Sequence, residues 1–232
     1  STRRDMTIGI IVAMSKELNL LLPLLSDKSE LTVNDIVFHC GTLHDKDVVV
    51  MQCGIGKVNA AIGALTMIDN FGPDLIINSG VAGGTGSEAK ILDVVVGERV
   101  AYHDVWCGPC AERGQIQGMP KFFTAPAEII ELPCLERDEH IKRGLIASGD
   151  MFVDNPEEVS RIKSLYPDVL AVDMESAAIA QVCHIKQVPF VSLRVISDTP
   201  GESDDNTAQY ENFWETAPLH TFNILNTLLF NL

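Results

Sequence analysis

Two short apolar runs with one helical segment between them constrain this chain most tightly. Val169 to Val172 and Phe190 to Ile196 carry no polar alternation, as expected of strands buried on both faces. Ser176 to Lys186 between them has helical spacing, so the three form a strand–helix–strand crossover of the kind that builds parallel sheets. In open α/β sheets, ligands sit beyond the carboxyl ends of the strands. Each run ends there in acids, Asp173 and Glu175 after the first and Asp198 after the second. Glu175 and Asp198 should therefore face one crevice, with Arg194 nearby.

The same alternation recurs along the chain. Thr7 to Ala13 reads as a buried strand, followed by a helix that Ser15 can cap and whose apolar face is Leu18, Leu21, Leu22 and Leu25. Glu17 falls in the first turn, where position alone makes it a complement to the helix dipole. Ile36 to Leu43 and Val48 to Cys53 form a hairpin around His44-Asp45-Lys46-Asp47. Gly54-Ile-Gly-Lys57 then opens a helix reaching Phe71. It has neither Walker nor dinucleotide-fingerprint spacing, and is either a close approach of backbone to ligand or a plain tight turn. Asp74 to Asn78 is a further strand running into Ser79-Gly-Val-Ala-Gly-Gly84, expected as a loop at the crevice or a crowded turn. Strands are expected at Val94 to Tyr102 and Lys142 to Ser148, and helices at Ala125 to Leu132 and Pro156 to Leu165. One helical segment should run from about Asn206 to Leu232, with Phe213, Leu219, Phe222, Leu225, Leu228 and Leu229 recurring at three- and four-residue steps and mostly facing the core.

At 232 residues and 46% hydrophobic composition, with no linker, repeat or low-complexity tract, the chain fits one layered α/β domain over residues 7–232. Ser1 to Met6 reads as an extension before a start at Met6; it lacks the apolar region of a signal peptide. The net charge is −15, from 32 acids against 17 bases, which is wrong for a nucleic-acid or anionic-membrane surface and suits solubility. No apolar run approaches the roughly 18–20 residues of a membrane span. The six scattered cysteines favour a reducing cytoplasm, with Cys40, Cys53 and Cys183 as small buried apolar residues. Cys107-Gly-Pro-Cys110 has redox or zinc-ligand spacing, but no second pair accompanies it. It lies in an irregular stretch from Val105 to Lys121, with glycines at 108, 114 and 118. A loop of that length is usually functional or an oligomer contact. Trp106 would suit a subunit interface if exposed, or its own core if not. No pattern indicates a metal or organic cofactor.

Seven segments together resemble the 5′-methylthioadenosine/S-adenosylhomocysteine nucleosidases of the nucleoside phosphorylase superfamily. They are Gly9-Ile-Ile-Val-Ala-Met-Ser-Lys-Glu17, Gly54-Ile-Gly-Lys-Val58, Asn78-Ser-Gly-Val-Ala-Gly-Gly84, Tyr102-His-Asp104, Ser148-Gly-Asp-Met-Phe-Val153, Val172-Asp-Met-Glu175 and Arg194-Val-Ile-Ser-Asp198. The resemblance covers nearly the whole chain. It implies a single-domain three-layer α/β/α fold around a central mixed, largely parallel twisted sheet. It also implies hydrolysis of the N-glycosidic bond of a purine nucleoside in a homodimer. Such a reaction needs an acid at the leaving purine, tolerance of a cation-like ribose and a base for water. By resemblance Asp198 is the acid, Glu17 the base, and Glu175 the grip on the ribose hydroxyls, with Met174 packed on the ribose and Arg194 holding a carboxylate. Phe152 would stack on the purine, the Val153 backbone would read its edge, and Gly83 would lie beside it. Met14 and Ile55 would line the 5′-substituent pocket, Phe213 would close it, and the loop from His103 to Cys107 would complete it in a partner copy. The sequence departs from the family at Val81, where many members carry serine, at Asp173, where glutamate is commoner, and through the loop from Val105 to Gly118.

The same fold serves phosphorylases, whose phosphate dianion needs cationic clamps. No arginine falls in the segments from Ala13 to Glu17 or Ser79 to Gly84, and Glu17 would repel phosphate, so water is the expected nucleophile. A futalosine-type nucleosidase, a purine nucleoside phosphorylase and a non-catalytic nucleoside-binding protein are the alternatives.

Overall fold

The computed structural model describes residues 6–201, 205–216 and 219–232; the proposed extension at residues 1–5 lies outside them. The elements run β1 (Thr7–Val12), α1 (Ser15–Leu21), β2 (Ser26–Val33), β3 (Ile36–Leu43), β4 (Lys46–Gln52), α2 (Lys57–Phe71), β5 (Leu75–Gly84) and β6 (Val94–Tyr102). They continue with β7 (Phe123–Thr124), α3 (Ala127–Ile130), α4 (Pro133–Glu136), β8 (Ile141–Ser148), α5 (Pro156–Leu165), β9 (Val169–Asp173), α6 (Ser176–Lys186), β10 (Phe190–Asp198), α7 (Asn206–Thr216) and α8 (His220–Asn231).

The strands form one mixed sheet. β1 lies parallel between β4 and β5, and the antiparallel strands β3 and β2 extend the β4 edge. Around β1, β4 and β5 helices pack on both faces of the sheet. Ile8, Ile10 and Val12 pack with α1 and α8 on one face, while Ile11, Val49, Met51 and Ile76 pack with α2 and α6 on the other. Side chains alternate across a strand, so these strands need apolar residues at every position.

Beyond β5 the sheet is not an open layer. β5 pairs with β10, β10 with β6, β6 with β8, β8 with β9, and β9 returns to the last two residues of β5. These five strands close into a barrel-like ring, which corrects the expected three-layer sandwich. Gly83 and Gly84, expected in a loop or crowded turn, are paired strand residues opposite Val172 and Ala171. The whole of Ser79 to Gly84 is strand because β5 is claimed by three partners along its length.

Further local expectations change. The first helix ends at Leu21, followed by a 3-10 turn, and polar β2 was not foreseen because its side chains are nearly all exposed. Backbone pairing to β3 holds it in place, and its charged side chains suit an edge strand. Ser15 does not cap α1. Its hydroxyl meets Gln52, while the Glu17 carboxylate takes the Met14 and Ala13 N–H groups. The C-terminal segment is two helices, α7 and α8, instead of one. Residues 105–121 contain no helix or strand, as expected.

Candidate active site

The carboxyl ends of β1, β5, β8, β9 and β10 surround a cavity of about 450 Å³. Its wall includes Met14, Glu17, Ile55, Gly83, Phe152, Val153, Met174, Glu175, Arg194 and Asp198. Residues spread from position 14 to position 198 thus meet at one crevice, as the strand-end rule requires.

Glu17 enters from the first turn of α1 and is 1% exposed. Its Oε1 accepts the backbone N–H groups of Met14 at 3.1 Å and Ala13 at 3.3 Å. Its Oε2 is buried and has no hydrogen-bond partner among the described residues. Burial pushes its carboxyl up from the usual 4.5 to about 7, with Arg194 opposing the shift and the Glu175 charge adding to it. Such a group exchanges a proton near neutrality, which suits a general base.

Arg194 projects from β10 into the buried polar floor. Its Nη2 lies 3.1 Å from Asp173 Oδ2 and 3.3 Å from Glu175 Oε1, and also donates to Asn78 Oδ1; Nη1 donates to the Val81 carbonyl at 2.9 Å. Asp173 also accepts the hydroxyls of Ser148 and Ser176. One guanidinium therefore serves Asp173, Glu175 and, at longer range, Glu17, so burial and negative neighbours raise the Glu175 carboxyl despite Arg194. Glu175 Oε2 accepts the Gly56 N–H at 3.0 Å. Gly56 has a φ of +94°, so the Gly54-Ile-Gly turn uses glycine to bring its backbone onto this carboxylate.

Asp198 sits at a β-bulge, where the register of β10 against β5 shifts between Ile196 and Asp198. Bulges re-aim side chains, and this one sets Asp198 beside Gly83. Ser197 Oγ donates to Asp198 Oδ1 at 2.8 Å and Asn206 Nδ2 donates to Oδ2 at 2.9 Å. Burial nevertheless raises the Asp198 carboxyl above the ordinary range.

The family model described as the phosphorylase superfamily matches residues 7–229. A 5′-methylthioadenosine/S-adenosylhomocysteine nucleosidase of Anoxybacillus flavithermus is 37% identical over 229 residues, covering 97% of this chain and 98% of that one. This chain belongs to that nucleosidase family. The S-adenosylhomocysteine nucleosidase of Streptococcus pyogenes, solved with 5-methylthiotubericidin, superposes with a TM-score of 0.92 at 34% identity, covering 100% and 99% of the two chains. The futalosine hydrolase of Helicobacter pylori has a TM-score of 0.89 at 31% identity, covering 98% of each chain.

Among the nucleosidase residues expected from sequence, Phe213 is the one placed elsewhere. It is 3% exposed within the core, packed with α8 residues, and is absent from the cavity wall. Tyr210, one turn earlier on α7, lines the cavity instead and meets Phe152 edge-on with ring centroids 5.7 Å apart. Both aromatics have helical spacing, and periodicity alone does not choose between their turns. Asn206 was also missed. Its Nδ2 contacts both Asp198 and, at 3.3 Å, the Val153 carbonyl, and nothing in the local sequence signals that. Asn78 and Ser197 are further unforeseen supports; their positions follow only from how β5 and β10 pair.

Proposed function

We propose that this chain hydrolyses the N-glycosidic bond of 5′-substituted adenine nucleosides, namely 5′-methylthioadenosine, S-adenosylhomocysteine and 5′-deoxyadenosine, releasing adenine. The observation that carries this reading is Glu17, a buried carboxylate with one free oxygen and a proton affinity near neutrality, beside a guanidinium already shared among carboxylates. Water is a fitting nucleophile there. A phosphate dianion would meet Glu17 and Glu175, and the cations on the described cavity wall are Lys16 and the committed Arg194.

In this reading Asp198, whose carboxyl burial raises above the ordinary range, gives a proton to purine N7 as the glycosidic bond breaks. Phe152 stacks on the base, the Val153 backbone reads its edge, and Gly83 leaves room beside it. Glu175 holds the ribose hydroxyls and stabilises the oxocarbenium-like ring by charge, while Met174 packs on the sugar. Glu17 takes a proton from water as it attacks C1′, and Arg194 keeps Glu175 in place. Met14 and Ile55 line the 5′ pocket, with Tyr210 replacing Phe213 at its mouth.

The functional unit is a homodimer. Val58, Ile62 and Leu65 of α2 are 69%, 51% and 42% exposed at helical spacing, beside the half-exposed Ile55 of the 5′ pocket. A second copy of this chain would cover that stripe, and its loop from His103 to Cys107 would complete the pocket. Trp106 in that loop is 48% exposed, with the Arg113 guanidinium 4.3 Å from its ring. Six unpaired cysteines, two of them exposed, fit a reducing cytoplasm.

The test is adenine release from methylthioadenosine, followed by chromatography with and without phosphate, and with futalosine as a parallel substrate. Release independent of phosphate supports the hydrolase. Release only with phosphate makes it a phosphorylase, preference for futalosine moves the substrate, and tight binding without turnover makes it a binding protein.

A further inference from the structure

Lys57, Asp104 and Asp150 stand behind the cavity wall without lining it. The Asp150 N–H donates to Asp104 Oδ2 at 2.9 Å, Lys57 Nζ donates to Asp104 Oδ1 at 2.6 Å, and the Lys57 backbone N–H donates to Asp150 Oδ1 at 2.8 Å. These three bonds close a ring that joins the start of α2, the segment after β6 and the segment after β8. Burial works against ionisation of Asp104, yet Lys57 and the Asp150 N–H hold its carboxyl below the usual carboxylate range. The chain just before Asp150 is fixed as well, because the Gly149 N–H donates to the Asp173 carbonyl at 3.1 Å.

Consecutive N–H groups at the start of α2 go to two different carboxylates. Gly56 donates to Glu175 Oε2 at 3.0 Å, and Lys57 donates to Asp150 Oδ1. Gly56 is the N-cap and has no side chain with which to cap the helix. Asp150 therefore supplies, from another segment, the acceptor that a capping side chain supplies locally. A Cβ at position 56 would lie 3.1 Å from Asp150 Oδ1, so this carboxylate packs directly against the backbone that serves Glu175.

We propose that Asp150 is a positioning residue for the ribose half of the site: it fixes the Gly56-Lys57 backbone so that the Gly56 N–H stays on Glu175, while Asp104 and Lys57 hold Asp150 in turn. The inference rests on the nucleosidase reading above and deepens it, by giving Glu175 a support from outside the cavity. Without the Gly56 N–H, Glu175 depends on Arg194, a guanidinium shared with Asp173. Its aim at the ribose hydroxyls then loosens. Its charge acts over a longer range than a hydrogen bond and survives a small reorientation.

The experiment compares wild type, Asp150→Ala and Asp150→Asn on methylthioadenosine and on its 2′,3′-dideoxy analogue, with competitive inhibition by free adenine as a third reading. Asp150→Ala should lower kcat/KM for methylthioadenosine about five- to twentyfold, the scale of a weakened hydrogen bond to a charged group. The analogue lacks the hydroxyls that Glu175 holds, so its kcat/KM should fall at most about twofold, the mark of two changes acting on one contact. Inhibition by adenine should be unchanged, which also shows that the variant is folded. Asp150→Asn keeps an oxygen for the Lys57 N–H and should recover most of the loss. Equal losses on the two nucleosides, weaker inhibition by adenine, or no recovery with asparagine would overturn the proposal. A wild-type protein that releases no adenine from methylthioadenosine would overturn the nucleosidase reading itself, and this role with it.

Discussion

Gly80 and Glu17 share one space: a Cβ at position 80 would lie 2.3 Å from Glu17 Oε2 and 3.0 Å from Arg194 Nη1. The glycine in β5 is what lets a carboxylate from α1 lie flat against the strand, held on its other oxygen by two backbone N–H groups. Gly80→Ala should displace the Glu17 carboxylate. Turnover should fall by at least about tenfold, with a stability loss of about 1–3 kcal/mol from overpacking. Steady-state kinetics alongside urea denaturation would check it; full activity would mean that Glu17 has room to move without consequence.

Glu17→Gln should abolish turnover while leaving nucleoside binding measurable by calorimetry. Its effect on stability has a definite sign. The folded carboxyl titrates near 7 and the unfolded one near 4.5, so the folded state holds an extra proton between these values. Stability from this group is therefore full below pH 4.5 and is lost as pH rises through 7, by about 3 kcal/mol in total. The glutamine variant should be more stable than wild type at pH 8, and the gap should close towards pH 4.5. In the wild type kcat/KM should fall on the acid side of about pH 7, and a profile flat to pH 5 would contradict a Glu17 base.

Asp198→Asn should lower kcat for adenine nucleosides by about 10²–10⁴, the usual scale of a lost general acid. A riboside with a leaving group that needs no proton should suffer far less. Asn206→Ala removes the donor to both Asp198 Oδ2 and the Val153 carbonyl, so it should weaken catalysis with the fold intact by circular dichroism. Equal losses on both kinds of leaving group would argue that Asp198 orients the base and does not protonate it.

Ile62→Glu places a charge in the middle of the exposed α2 stripe. Under the proposed homodimer, sedimentation should show a shift from dimer to monomer, and KM for 5′-thioethers should rise. A variant that stays dimeric would move the interface away from α2.

The Glu175 and Asp198 pairing was legible in the sequence because strand ends are marked by where apolar runs stop, and both runs stop in acids. The helices at Pro156–Leu165 and Ser176–Lys186 match their expected bounds, since a proline in one first turn and a shift of period in the other mark them. Ring closure was not legible. It depends on β9 pairing with Gly83 and Gly84 at the far end of β5, and a glycine run reads as a loop until a partner strand is known. β2 was invisible for a related reason: its side chains carry no burial signal, so only its hydrogen bonds to β3 make it a strand. Phe213 shows the limit of helical periodicity, which fixes a face of a helix without fixing which turn meets the ligand.

β5 comes from residues 75–84 and its neighbour β10 from residues 190–198, so this pairing within the ring joins segments over a hundred positions apart. Contacts this distant in sequence form late and slowly. On a ribosome, the half that carries Glu17 is exposed well before the half that carries Asp198 has been made. Glu17 and Asp198 cannot meet until nearly the whole chain is available, so a stalled or shortened product would hold one wall of the cavity without the other.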